Sequence, residues 1–113
     1  MKAQVYVIVA HVFVKVGMST DINKRIQSME TDCPHPLAVI WSSEQMTVKK
    51  ARNLESIIHD RLYEYHAKGE WFKVSHIKAV DEAHKAERFM NTVNADQKRY
   101  DPNVFQGDYS DTV

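Results

Sequence analysis

Two short valine-rich runs near the start of the chain, 5–9 (VYVIV) and 12–16 (VFVKV), constrain the fold more than any other feature. Each is too brief for a helix, and β-branched and aromatic side chains suit a pleated, half-buried surface. The pair is predicted to form the two strands of a hairpin. Ala10-His11 at the junction lacks Asn-Gly or Asp-Gly chemistry, so the turn type and the strand ends stay open. Everything downstream reads as material to cover this ribbon and to bring an acid, Glu55, up to it.

The segment Met18-Ser19-Thr20-Asp21 is rich in helix-starting residues. Ile22, Ile26 and Met29 then recur at i, i+4 and i+7, predicting a helix with one stripe on the sheet. Arg25 falls at the edge of that stripe, as a rim residue with a solvated head or as a cation over a site. Thr31-Asp32-Cys33-Pro34-His35-Pro36 is a loop, because closely spaced prolines cannot continue a helix. Leu37 to Trp41 is a third strand. From Thr47 to about His66 the period is helical, with Ala51, Leu54, Ile58, Leu62 and Tyr65 on one side. Arg52, Glu55 and His59 form a polar stripe beside it, of the kind that is ordinarily solvated surface. Gly69 suits a left-handed position ending this helix. Trp71 to Val74 is a strand whose aromatics are expected in the core. Ser75 caps a last helix over 76–93, with Ile77, Val80, Ala83 or His84, and Met90 inward. The architecture expected is α+β, a small central antiparallel sheet flanked by helices. The domain would span 1–94 and a polar, flexible tail 95–113.

A chain of 113 residues is one domain with a real core. No apolar run approaches a membrane span and no signal sequence is visible, so the default location is cytoplasmic. The lone Cys33 agrees with a reducing compartment and reads as a bland thiol. Fifteen basic and fifteen acidic side chains give a net charge of zero. A surface that grips nucleic acid everywhere is therefore excluded, although a local basic site around Lys15, Lys24, Arg25, Lys49, Lys50 and Arg52 is not.

Gln4-Val5-Tyr6, then Lys15-Val16-Gly17-Met18-Ser19, then Arg25, then Glu55, in that order and spacing, resembles the GIY-YIG nuclease superfamily. The branch it looks most like is the phage and meiotic-gene type. There the second motif reads K-I-G, an arginine stands eight residues after the glycine, as Arg25 stands after Gly17, and the domain closes on a segment like Glu70-Trp71-Phe72. The resemblance covers about residues 4 to 75 and implies metal-dependent cleavage of DNA. Carried over residue by residue, Glu55 would hold a single Mg²⁺ or Mn²⁺, Arg25 would stabilise charge on the scissile phosphate, and Tyr6 would be the first-motif tyrosine. Two departures stand out. Gln4 replaces the first motif's glycine, and Lys15 replaces the second motif's tyrosine.

Elementary chemistry supports such roles. Phosphodiester hydrolysis needs an activated water and neutralised charge on the phosphate and the leaving oxygen. A hard ion is satisfied by one carboxylate plus waters and substrate oxygens. Tyrosine is a poor base at neutral pH, and Lys15 and Arg25 nearby, or a metal-bound water, are expected to favour its phenolate. Arginine offers a planar, permanently charged fork for phosphate oxygens. His59, one turn past Glu55, is open to three readings: a second general base, a phosphate contact, or a surface histidine bonded to Glu55. Tyr6 could equally be sheet core, Lys15 a solvent-facing strand residue, and Glu55 an exposed helix acid.

The expected partner is DNA, with a homodimer or a protein partner engaging the last helix and the tail. The alternative to a nuclease is a catalytically weakened binding module or adaptor on the same fold.

Overall fold

The computed structural model describes residues 1–32 and 36–93. Cys33 and the tail 95–113 lie outside the described residues.

Valine and isoleucine dominate β1 (Lys2–Ala10), which pairs antiparallel with β2 (Phe13–Ser19) in the predicted hairpin. The register Ala10↔Phe13 leaves His11 and Val12 as a two-residue loop. His11 has a φ of 58° and Val12 does not share that sign, the φ pattern of a type II′ turn. Val12 therefore leaves the strand for the loop tip, where it is 47% exposed. Both strands also run past their valines, to Lys2 and to Ser19, because ladder pairing continues through Gln4↔Ser19.

Next come α1 (Ile22–Asp32), β3 (Ala38–Ser42), β4 (Met46–Thr47) and α2 (Val48–Arg61). A single 3-10 turn (Tyr63–Tyr65) then leads to β5 (His66–Lys68), β6 (Trp71–Phe72) and α3 (His76–Val93). The sheet order is β3-β1-β2-β6-β5, with β4 pairing the first residues of β1, and every pairing is antiparallel. The molecule is an α+β domain.

Because side chains alternate across a strand, the central ribbon has two faces. Ala3, Val5, Val7, Val14 and Val16 point to the helix layer. There they pack with Leu54, Ile57, Ile58 and Leu62 of α2 and its end, with Ala79, Ala83, Ala86 and Met90 of α3, and with Phe72. The opposite face carries Tyr6, Ile8 and Ala10, also buried but outside that cluster. Burial on both faces is why β1 reads as an unbroken apolar run instead of an alternating one. Between β3 and β4, Ser43 keeps β1 paired: its N–H donates to the Val5 carbonyl at 2.9 Å, and its Oγ accepts from the Val5 N–H at 3.0 Å.

Helix starts follow the predicted chemistry. Asp21 Oδ1 accepts from Lys24 N, Thr47 Oγ1 from Lys50 N and Ser75 Oγ from Lys78 N, each at 3.1–3.2 Å. Ile22, Ile26 and Met29 are the half-buried stripe of α1.

Several expectations are corrected. Thr31 and Asp32, expected in the loop, belong to the last turn of α1. The helix expected to reach His66 stops at Arg61, because 66–68 gain a strand partner in β6 and the Tyr65 carbonyl accepts from Lys73 N at 2.8 Å. Gly69 does take a positive φ, +58°, but in the β5–β6 turn and not at a helix end. On α3, Ala83 and Met90 are buried as expected, with Ala79 and Ala86 beside them, whereas Ile77 is 72% exposed and Val80 only half-buried; of the alternatives Ala83 and His84, Ala83 is the inward one. Lastly, Trp71 and Phe72 part company, as adjacent strand residues must: Phe72 is core, whereas Trp71 lies opposite Lys15, half-buried and outside the core cluster.

A buried acid locks the two long helices. Glu82 of α3 accepts from Arg61 Nε at 2.6 Å and lies 3.2 Å from Lys78 Nζ. Burial pushes the Glu82 carboxyl up, but the hydrogen bonds from Arg61 and Lys78 outweigh it and hold it below its ordinary range. A depressed carboxylate contributes stability above its unfolded pKa and loses it as pH falls through the folded value. Arg61→Ala should therefore cost about 2–4 kcal/mol in chemical denaturation at neutral pH, with Lys78 left as partial compensation. The difference from wild type should shrink as Glu82 is protonated; a loss that is constant with pH would refute this account.

Candidate functional site

The site is built on one cross-strand pair, Tyr6↔Gly17. A Cβ on Gly17 would stand 2.5 Å from the Tyr6 hydroxyl, 2.8 Å from Cζ and 3.1 Å from Glu70 Oε1. No side chain fits there, so glycine is required by close approach and not by backbone conformation. The phenol lies across the bare strand of its neighbour and is only 1% exposed.

Lys15, two residues before Gly17, points to the same side of the sheet. Its Nζ lies 5.5 Å from the centroid of the Trp71 ring, its cross-strand partner, and 3.6 Å from Glu70 Oε1. Glu70 is fixed in turn through its backbone, since its carbonyl accepts from Val16 N at 3.1 Å and extends the β2–β6 ladder. From α1, the exposed Arg25 brings its guanidinium beside the Tyr6 hydroxyl. From α2, the half-buried Glu55 carboxyl comes within hydrogen-bonding reach of Glu70, with Arg52 and His59 nearby. His59 Nε2 donates to the Val16 carbonyl at 2.9 Å, and its ring meets Phe72 edge-on at 5.0 Å. It is thus neither a surface histidine nor one bonded chiefly to Glu55. It ties α2 to β2, and only Nδ1 remains for other contacts.

Glu70 thus pairs with Lys15, borders the Gly17 clearing that the Tyr6 ring fills, and acts on both Tyr6 and Glu55, while Arg25 acts on Tyr6 from the α1 side. The residue that sequence reasoning passed over is Glu70, the hub of these contacts. Its signal was its place between a left-handed glycine and the strand that pairs with Lys15, legible only once that pairing is known.

The electrostatics reverse one expectation. Burial raises the Tyr6 pKa above its ordinary value; Arg25 opposes this by hydrogen bond and charge, and Glu70 and Glu55 add to the rise. The phenol is therefore a neutral O–H donor near pH 7 and not the phenolate expected from Lys15 and Arg25. Burial also raises the Glu55 pKa, and the neighbouring Glu70 charge raises it further, against the pull of His59 and Arg52. Among the described residues no three or more His, Cys, Asp or Glu side chains gather as a metal cage. What the site offers is an adjacent carboxylate pair with excess negative charge. That donor set suits a hard divalent ion holding one protein carboxylate and otherwise water and substrate oxygens.

Two predictions follow from this geometry. Gly17→Ala should destabilise the fold by about 1–3 kcal/mol through overpacking, and Tyr6→Phe should relieve part of that by removing the atom nearest the new methyl. Additive losses in a double-mutant cycle would mean the two side chains do not meet. A raised carboxyl favours folding below its unfolded pKa and loses that contribution as pH rises through its folded value. Glu55→Gln should accordingly raise the Tm of metal-free protein at neutral pH, and the gain should vanish in acid. A Tm that falls at neutral pH would show Glu55 to be structurally favourable as an anion.

Among the described residues no helix is long and apolar enough to cross a membrane. No curated protein and no solved structure matches the chain. The family model of the T5orf172 domain matches residues 3–91, a span that includes Tyr6, Lys15, Gly17, Arg25, Glu55, His59 and Glu70. That domain is phage-associated and related to nuclease-like folds, and over nearly its whole described length this chain belongs to the T5orf172 domain family.

Proposed function

We propose that this chain is a cytoplasmic, metal-dependent DNA endonuclease of the GIY-YIG kind, hydrolysing phosphodiester bonds with a single divalent ion at Glu55. The observation that carries the reading is the convergence of Tyr6, Lys15, Arg25 and Glu55, from two strands and two helices, around the Gly17 clearing. Mg²⁺ or Mn²⁺, when bound, would polarise a phosphate oxygen and a water. In hydrolysis a water oxygen bonds to phosphorus, the bond to the leaving deoxyribose oxygen breaks, and that oxygen takes a proton. Arg25 is the exposed fork for the phosphate oxygens in that transition state, and Lys15 a second positive charge on the sheet side. Tyr6, a neutral phenol at the back of the site, donates a hydrogen bond that orients the phosphate or the attacking water. His59 acts by fixing α2, and hence Glu55, against β2. Lys24, Lys49, Lys50 and Arg52 are exposed and available for sequence-independent phosphate contacts.

A binding module on the same fold is the second reading. It is favoured by the neutral Tyr6 and by the engagement of His59 Nε2 with the backbone, which take these two atoms out of use as bases.

Turnover separates the two. Purified protein should nick supercoiled DNA in Mg²⁺, Glu55→Ala should abolish nicking, and Arg25→Ala should lower kcat by about a hundredfold or more while leaving affinity nearly unchanged. Residual activity identical in Glu55→Ala would expose a contaminant. Lost affinity with no turnover to lose would establish the binding module.

A further inference from the structure

The anion nearest the Tyr6–Lys15 face belongs to the protein itself. Glu70 Oε1 lies 3.6 Å from Lys15 Nζ and 3.1 Å from the point where a Gly17 Cβ would stand, a point 2.5 Å from the Tyr6 hydroxyl. Lys15 is otherwise secluded, 14% exposed with the Trp71 ring beneath its ammonium, so this acid fills the approach to it. The Glu70 side chain, by contrast, is 41% exposed, and only its backbone carbonyl belongs to the sheet ladder. It can rotate into water without breaking a strand bond. Carboxylate and phosphate oxygens present the same acceptors to an ammonium and to a phenol hydroxyl, so what seats one seats the other.

We propose that Glu70 marks the phosphate subsite: in the free protein its carboxylate holds, on Lys15 and beside Tyr6, the place that a phosphodiester group of the substrate takes, and binding of that group displaces Glu70 into solvent. The inference deepens the nuclease reading and rests on it for the identity of the ligand, but not on catalysis. Glu70 is on this account a competitor for the substrate's anion and not a group the substrate needs. Its removal should help binding.

The test is the affinity of a short labelled DNA duplex, followed by anisotropy in chelator at low salt, for full-length wild type, Glu70→Gln, Lys15→Met and the double variant. Glu70→Gln should tighten binding by about two- to fivefold, the worth of a partly exposed ion pair. The gain should disappear when Lys15 is already methionine. Glu70→Ala, read the same way, guards against a glutamine oxygen that keeps the contact with Lys15. Unchanged or weaker binding in both Glu70 variants overturns the proposal. So does equal tightening with and without Lys15, which would be the general effect of deleting a negative charge. Failure here would leave magnesium-dependent nicking by wild type untouched. A Lys15-dependent gain in a protein that never nicks would remove the hydrolase and keep the subsite.

Discussion

The contact on which the structure turns is the passage of the Tyr6 ring over the bare backbone of Gly17. Most cross-strand pairs in this hairpin are joined by two apolar side chains, but here one side chain takes the space of both. That arrangement fixes register as firmly as any hydrophobic pair. A slip of one residue would set Tyr6 against Val16 or Met18, flip the ribbon, and bury Lys15 in the helix layer in place of valine. The same contact also places a polar atom, the phenol oxygen, in a clearing that no other side chain can enter.

From this pair the division of labour between the two sheet faces follows. One face carries Val5, Val7, Val14 and Val16 and is closed by α2 and α3, so burial brings α2 onto the sheet. Glu55 and His59 lie beside that buried stripe, next to Leu54 and Ile58, and are delivered to the edge of β2 as a consequence of core packing. The bond from His59 Nε2 to the Val16 carbonyl then fixes the helix against the strand next to Gly17 itself. A group that reads in sequence as one more member of a solvated stripe is in fact a joint between core and site.

Much of this was legible from residue types. The hairpin followed from two valine runs, the helix starts from Asp21, Thr47 and Ser75, and the extent of α3 from its cap and period. What was not legible depended on partners distant in sequence. β5 exists because β6 offers it a ladder, and nothing in His66-Ala67-Lys68 announces a strand. The inward turn of Ala79 and Ala86 instead of Ile77 depends on how closely α3 approaches α2. The direction of the Tyr6 shift depends on desolvation and on two acids, one 49 and one 64 positions away, whereas the cations Lys15 and Arg25, taken by themselves, argue for the opposite sign. Glu70 escaped notice for the same reason, since its importance is set by what β2 places opposite it.

A chain of zero net charge thus contains a site of strongly uneven charge. Two cations, Lys15 and Arg25, and two acids, Glu55 and Glu70, gather around one buried phenol, with Lys15 and Glu70 in direct ion pairing. Burial, and after it the neighbouring acids, raises the proton affinity of both Tyr6 and Glu55, so each ionises less readily here than in water. A cation at the carboxyls would act the other way, lowering the proton affinity of Glu55 directly and that of Tyr6 through the loss of two nearby negative charges. If a divalent ion is held at Glu55, as the proposed function requires, its uptake and the release of protons would be linked. On that reading a neutral phenol and a carboxyl of raised proton affinity are the state such a site would show before its cation binds.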